Sequence, residues 1–287
     1  LRMDIVYAIW LRNVKRYLRS KSRIIGSLGM PLFFMLVLGF GLDSIVRIPG
    51  MEKGYMDFII PGIVAMSVLF TSVFSGIQII WDKQFGFLKE TLVAPVSRLE
   101  IMIGQTLGGA TTAVVQGLII MIFALFIGLK PVGIAGFLVA IGFMALIGVT
   151  FTAFGIAIAS RMEDMHGFQL IMNFVIFPIF GLSGALFPID GLPDQIRPLT
   201  LIDPLTYGVE GIRYGLSGTA QIHPLASLIV MAACAALMTV VGEARTLLVV
   251  PLLSWQARNP FDGDGDGFPD VPPRPVPVNR PLGAIAR

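Results

Sequence analysis

FIIPGIVAMSVLFTSVFSGIQIIW (58–81), DKQFGFLKETLVAPVSRLE (82–100) and IMIGQTLGGATTAVVQGLIIMIFALFIGL (101–129) decide the fold. The two flanking pieces contain no Asp, Glu, Lys or Arg, whereas the middle one carries six such residues. A bilayer core about 30 Å thick takes roughly 20 apolar residues of helix. Backbone polar groups in lipid must pair within the segment itself. The flanking pieces therefore read as membrane-crossing helices joined by a short polar loop. Four further charge-free runs follow the same pattern, at 24–42, 134–160, 167–189 and 224–242. The expectation is an all-α, polytopic membrane protein with six transmembrane helices.

Composition agrees. Of 287 residues, 55% are hydrophobic and 14% charged, and the mean hydropathy is +0.82. A soluble domain carries about 25% charged residues, so this chain cannot cover a water-exposed surface. A soluble enzyme, a disordered chain and a disulfide scaffold are all excluded, the last because Cys234 is the single cysteine. The first run follows a long basic lead-in and has no small-residue cleavage pattern after it, unlike a removable signal peptide. The net charge of +3 matters less than its distribution. Sixteen Lys and Arg fall on the side holding both termini, and five on the other. By the positive-inside rule both termini are cytoplasmic and the chain is a multi-pass plasma-membrane protein. Nothing points to nucleic acid.

Residues 1–23 read as an amphipathic interfacial helix. Met3, Val6, Tyr7, Trp10, Val14, Tyr17 and Leu18 recur at helical spacing, with Arg12, Arg16, Arg19 and Arg23 on another face. That pattern suits a helix over anionic membrane lipid; a plain positive-inside anchor is the alternative. In the loop, Phe85, Leu88 and Leu92 form a small apolar stripe, and Asp82, Lys83, Lys89 and Glu90 add charge. Pro95 ends that short helix. Ser97, Arg98, Leu99 and Glu100 then spell a capping box that opens span three. Lipid, the protein's own helices or a cytoplasmic partner could cover the stripe. Residues 188–223 combine turn chemistry with an Asp203-Pro204 helix start, suggesting two short helices dipping into the outer leaflet between spans five and six. Gly104 and Gly108 form a GxxxG pair, read as tight packing within the subunit or as a dimer seam.

The charge-free spans lack the groups that ion-coupled carriers place in the membrane. Their mild polar set (Gln78, Gln105, Gln116, Gln169, Asn173) suits an amphipathic cargo better than a bare ion. The chain has no GxxxxGK[ST] phosphate loop, no zinc-like spacing and no Ser/His/Asp set facing one compartment, so no catalytic site is expected. Uphill transport would draw its energy from a partner.

Four stretches carry a family resemblance. They are the basic amphipathic lead-in, KETLVAPVSRLEIMIGQ (89–105), FPIFGLSGALFPIDGLP (177–193) and DPLTYGVEGIRYGL (203–216). Together they resemble the ABC-2 family of ATP-binding-cassette membrane subunits, the permeases of daunorubicin-resistance and nodulation-type exporters. The resemblance implies a six-helix subunit that pairs with a second permease, identical or paralogous, and docks ATPase subunits that hold the ATP and Mg. It makes 5–23 similar to the family's connecting helix, 82–96 to its coupling helix and 188–223 to its outer re-entrant helices. Glu90, Pro95, Ser97 and Arg98 match the coupling-loop pattern, with Phe85, Leu88 and Leu92 as the docking stripe. Cargoes in the family include drugs, polysaccharides and lipids. An ATP-independent channel or carrier, and a membrane scaffold recruiting a cytoplasmic protein, are the alternatives.

The sequence departs from that family after span six. The membrane domain is expected at 24–242 and a Pro-rich, disordered tail at 243–287. TLLVVPLLSW (246–255) is too short to span and contains Pro251. Beyond it Asp262, Asp264, Asp266 and Asp270 fall at positions 1, 3, 5 and 9 of a calcium loop, with Gly267 at 6. Position 12, where an EF-hand needs Glu, is Pro273. The segment is a candidate calcium site or a solvated acidic turn.

Overall fold

The computed structural model describes residues 2–43, 54–84, 97–129, 132–162 and 164–258. Among the described residues all regular structure is helical. Six helices are long and apolar enough to cross a membrane. They are Lys21–Phe40, Tyr55–Asp82, Leu99–Ile127, Ile134–Ala159, Met165–Leu182 and Pro224–Gly242, termed spans one to six. An N-terminal helix, Met3–Arg19, precedes them. Two short helices, Arg197–Ile202 and Pro204–Ser217, lie between spans five and six; they are termed the first and second outer helices after the side on which the sequence expectation puts them. The chain divides into two compact units. Leu1–Thr246 holds all six spans, and of Leu247–Arg287 the described part is helix to Arg258.

Span two is the core of the first unit. Every residue from Phe58 to Leu69 is buried, although the stretch contains a proline and a glycine. Spans three and four and the second outer helix pack around it, contributing Ile120, Ile147, Val209 and Ile212. Spans one, five and six are the least buried and turn large apolar side chains outward, among them Phe33, Phe174 (88% exposed) and Ile229. Such residues suit lipid rather than water.

Small residues set the closest crossings. Gly155 of span four stands where a Cβ on Gly76 of span two would come within 2.6 Å of its backbone. Only glycine permits this backbone-to-backbone approach. The GxxxG pair of span three receives the N-terminal helix: a Cβ on Gly104 would meet Ile9 at 2.8 Å, and one on Gly108 would meet Asn13 at 2.7 Å. The within-subunit reading of that pair holds.

Helix ends follow local chemistry. Ser97 caps span three in a complete capping box with Glu100. Asp164 caps span five through the amides of His166 and Gly167. These hydrogen bonds to the carboxylate hold its pKa below the usual range. Asp203 caps the second outer helix and Gly218, at φ 73°, ends it.

One boundary differs from the sequence expectation. Span five stops at Leu182, not at 189, because Gly184 turns the chain at φ 69°. Span six ends at Gly242, and the helix that holds it continues through Pro251 to Arg258.

Candidate functional site

Two polar clusters stand out in an otherwise apolar molecule. The first lies where the N-terminal helix meets the base of span two and the start of span three. Glu100 of span three accepts from the Arg2 amide at 2.6 Å and from the Ser97 amide at 3.0 Å. Asn13 donates to Gln105 at 2.6 Å, Trp10 Nε1 donates to Thr111 at 2.9 Å, and the Tyr17 hydroxyl donates to Gln116. Burial pushes the Tyr17 hydroxyl pKa upward, which keeps it a donor. Arg12 pairs with the buried carboxylate of Asp82 at 3.1 Å.

These bonds sort the N-terminal helix into three faces. Val6 and Tyr17 are buried and Asn13 is half-buried on the side facing span three. Met3, Tyr7 and Leu18 are exposed apolar residues, and Lys15, Arg16 and Arg19 are exposed cations. The single apolar stripe of the sequence reading is thus split: half of it packs on protein and half lies open.

Asp82 sits in the last turns of span two, just before residues 85–96. Phe85, Leu88, Glu90, Leu92 and Pro95, the expected docking residues, lie outside the described residues. Ser97 is the cap of span three and Arg98 its first helical residue. The described residues include the two ends of this segment, Asp82 and Ser97, and the N-terminal helix reaches both ends through Arg12–Asp82 and Arg2–Glu100. Asp262, Asp264, Asp266 and Asp270 also lie outside the described residues. Among the described residues no three His, Cys, Asp or Glu side chains group as metal ligands.

The second cluster lies between spans five and six. Arg213 and Glu210, one helical turn apart, form an ion pair with no exposed side-chain surface. Arg213 also donates to the Gly184 carbonyl at 2.9 Å, and its guanidinium lies 4.1 Å from the centre of the Phe58 ring. Glu210 accepts from the amides of Gln221 and Ile222, and the Gln221 side chain accepts from the Ile189 amide. One ion pair thereby ties span two, the turn after span five and the turn before span six. Charges so far from water persist only when paired and hydrogen-bonded. The sequence reading missed this cluster and the Arg12–Asp82 pair. The i, i+3 spacing of Glu210 and Arg213 was the one available signal; the other contacts join separate elements, 29 residues apart for Arg213 and Gly184 and 70 for Arg12 and Asp82.

The second outer helix rests on span four through three glycines. Cβ atoms on Gly208, Gly211 and Gly215 would collide with Ile147, Phe143 and Gly136 respectively.

Comparison with known proteins gives a consistent picture. A family model described as ABC-2 type transporter matches residues 5–217. Nodulation protein J of Rhizobium meliloti (strain 1021) is 28% identical over 220 residues, covering 75% of this chain and 82% of its own length. The inner membrane transport permease YadH of Escherichia coli (strain K12) is 26% identical over 219 residues, 75% of this chain and 84% of its own. The ycf38 transport permease of Cyanophora paradoxa is 28% identical over 207 residues, 70% and 71% of the two chains.

Proposed function

The chain belongs to the ABC-2 type transporter family, and from that premise we propose that it forms the membrane half of an exporter for an amphipathic cargo. It is a six-span permease that works with a separate ATPase subunit. No phosphate loop occurs in residues 1–287. Cargo of drug-like, lipid or polysaccharide type passes by alternating access along the interface with a second permease subunit, identical or paralogous. Both termini are cytoplasmic, as the sixteen-to-five division of Lys and Arg supports.

In this reading residues 1–23 are interfacial, 24–242 form the membrane domain and 243–287 a tail. The exposed Met3, Tyr7 and Leu18 beside exposed cations support the interfacial placement. The outer helices are re-entrant; contact of Gly208 with Ile147, midway along span four, supports that depth. The tail aspartates Asp262, Asp264, Asp266 and Asp270 bind calcium weakly at best, since Pro273 replaces the bidentate ligand.

Phe85, Leu88, Glu90, Leu92, Pro95, Ser97 and Arg98 form the coupling element. The observation that carries this reading is the Arg12–Asp82 pair. It joins the N-terminal helix to the base of the segment that would receive the ATPase stroke. Leu88→Asp would place a desolvated charge in the docking groove, at a cost of about 2–5 kcal/mol. That is roughly 30-fold or more in ATPase affinity. Glu90→Ala would bind nearly normally yet export poorly. ATPase co-purification and cargo efflux, measured side by side, test both. Variants that insert normally, keep their ATPase and export at wild-type rates would remove this segment from coupling.

A further inference from the structure

We infer that spans one, two and five enclose a binding site for an anionic amphipath, with Arg23 as its anion anchor. A cavity of about 230 Å³ lies between span one, span two and Phe177 of span five. Met30, Phe70, Phe74 and Phe177 form its apolar wall. The rings hold one another: Phe70 meets Phe177 edge-on at 5.6 Å and stacks with Phe74 at 6.2 Å. The volume lies below the ~300–1,000 Å³ of sites for drug-sized ligands. It fits an alkyl chain rather than a bulky polycycle.

Two polar features make this more than a lipid-filled crevice. Ser67 lines the cavity, is 2% exposed, and its hydroxyl has no hydrogen-bond partner. Its neighbours behave otherwise: Ser72 bonds back to the Val68 carbonyl and Ser75 to the Ser72 carbonyl. Back-bonding is the ordinary refuge of a helical hydroxyl. A buried hydroxyl that forgoes it is a group awaiting a partner. The other feature is Arg23, at the Lys21 end of the same cavity. The ion pairs of the described arginines are Arg2–Asp4, Arg12–Asp82, Arg197–Asp190 and Arg213–Glu210. Arg23, exposed in the first turn of span one, has none of them, which leaves its guanidinium free to take an anion.

Arg23 also separates this apolar space from a polar one. A second cavity, with room for about one water (30 Å³), shares Tyr17 and Arg23 with the first and adds Arg16, Gln78 and Asn13. The Asn13 side-chain oxygen there is buried and unpartnered. Among the described residues no carboxylate lines either cavity, and the described lining does not suit a cation. The arrangement fits a phosphate or carboxylate head on Arg23 at the end of the larger cavity, an acceptor oxygen opposite Ser67, and one chain between the aromatic rings. A planar guanidinium matches such heads through paired hydrogen bonds.

The ligand could come from the bilayer or be cargo; only the second source rests on the exporter reading. Equilibrium binding to the full chain in phosphatidylcholine nanodiscs tests the site. The probes are dodecyl phosphate, neutral dodecanol and lysophosphatidic acid, whose ester oxygen can meet Ser67. Wild type should hold dodecyl phosphate at least 10-fold more tightly than dodecanol. Arg23→Gln should erase that difference, and Arg19→Gln, outside both cavities, should retain it. Ser67→Ala should weaken lysophosphatidic acid about threefold or more and leave dodecyl phosphate unchanged. Met30→Trp, which fills the chain space with every cation in place, should abolish binding of both anions. Equal binding of dodecyl phosphate and dodecanol by wild type would overturn the site, as would undiminished anion preference in Arg23→Gln. With the ATPase added, ATP-dependent loss of bound probe identifies cargo, and retention identifies resident lipid. The site stands in either case, so failure of the exporter reading is distinguishable from failure of the site.

Discussion

Arg213 and Glu210 are charged side chains held entirely within an apolar molecule, so each is stable only while the other is present. Arg213→Ala would strand Glu210 and cost about 3–5 kcal/mol, whereas a joint Glu210→Gln, Arg213→Met change should recover most of it. Thermal unfolding in detergent would show the single variant well below wild type and the double variant near it. The caps at Ser97 and Asp203 were legible in the sequence because a cap and its amides are neighbours along the chain. The Arg12–Asp82 pair was not, because its partners are 70 residues apart.

At the scale of the element, the N-terminal helix is the informative case. Its basic and apolar periodicity marked it as amphipathic, but periodicity does not say which apolar residues meet protein. Span three decides, by offering Gly104 and Gly108 to Ile9 and Asn13. Gly108→Val should push the helix away and cost about 1–3 kcal/mol by overpacking. Limited trypsin digestion at Arg12, Lys15 and Arg16 should then run faster than in wild type; equal rates would mean the contact is dispensable. Ser97→Ala should cost about 0.5–2 kcal/mol by loss of the cap. The end of span five shows the converse limit. Hydropathy carried the expected helix to 189, but Gly184 bends the chain and its carbonyl receives Arg213 from the second outer helix. Tertiary contact overrode the local apolar signal.

For the whole molecule, the purified chain should hydrolyse no ATP on its own, and turnover surviving removal of all P-loop proteins would contradict its place as a partner-driven permease. A cysteine at Ser254, on a Cys234→Ala background, should resist membrane-impermeant thiol reagents in intact cells; ready labelling would reverse the assigned orientation. The six spans and the all-helical class were determined by sequence alone. Lipid forbids unpaired backbone groups, so any 20-residue apolar run must become a helix wherever it lies in the fold. Family membership was legible for a related reason: its marks are contiguous motifs. What only the tertiary structure decided is which spans form the core and which face outward, what the two glycines of span three receive, and where the few buried polar groups find partners. Those outcomes depend on shape and on contacts between distant segments, and in a chain where nearly every span is apolar, hydropathy cannot tell a helix neighbour from a lipid one.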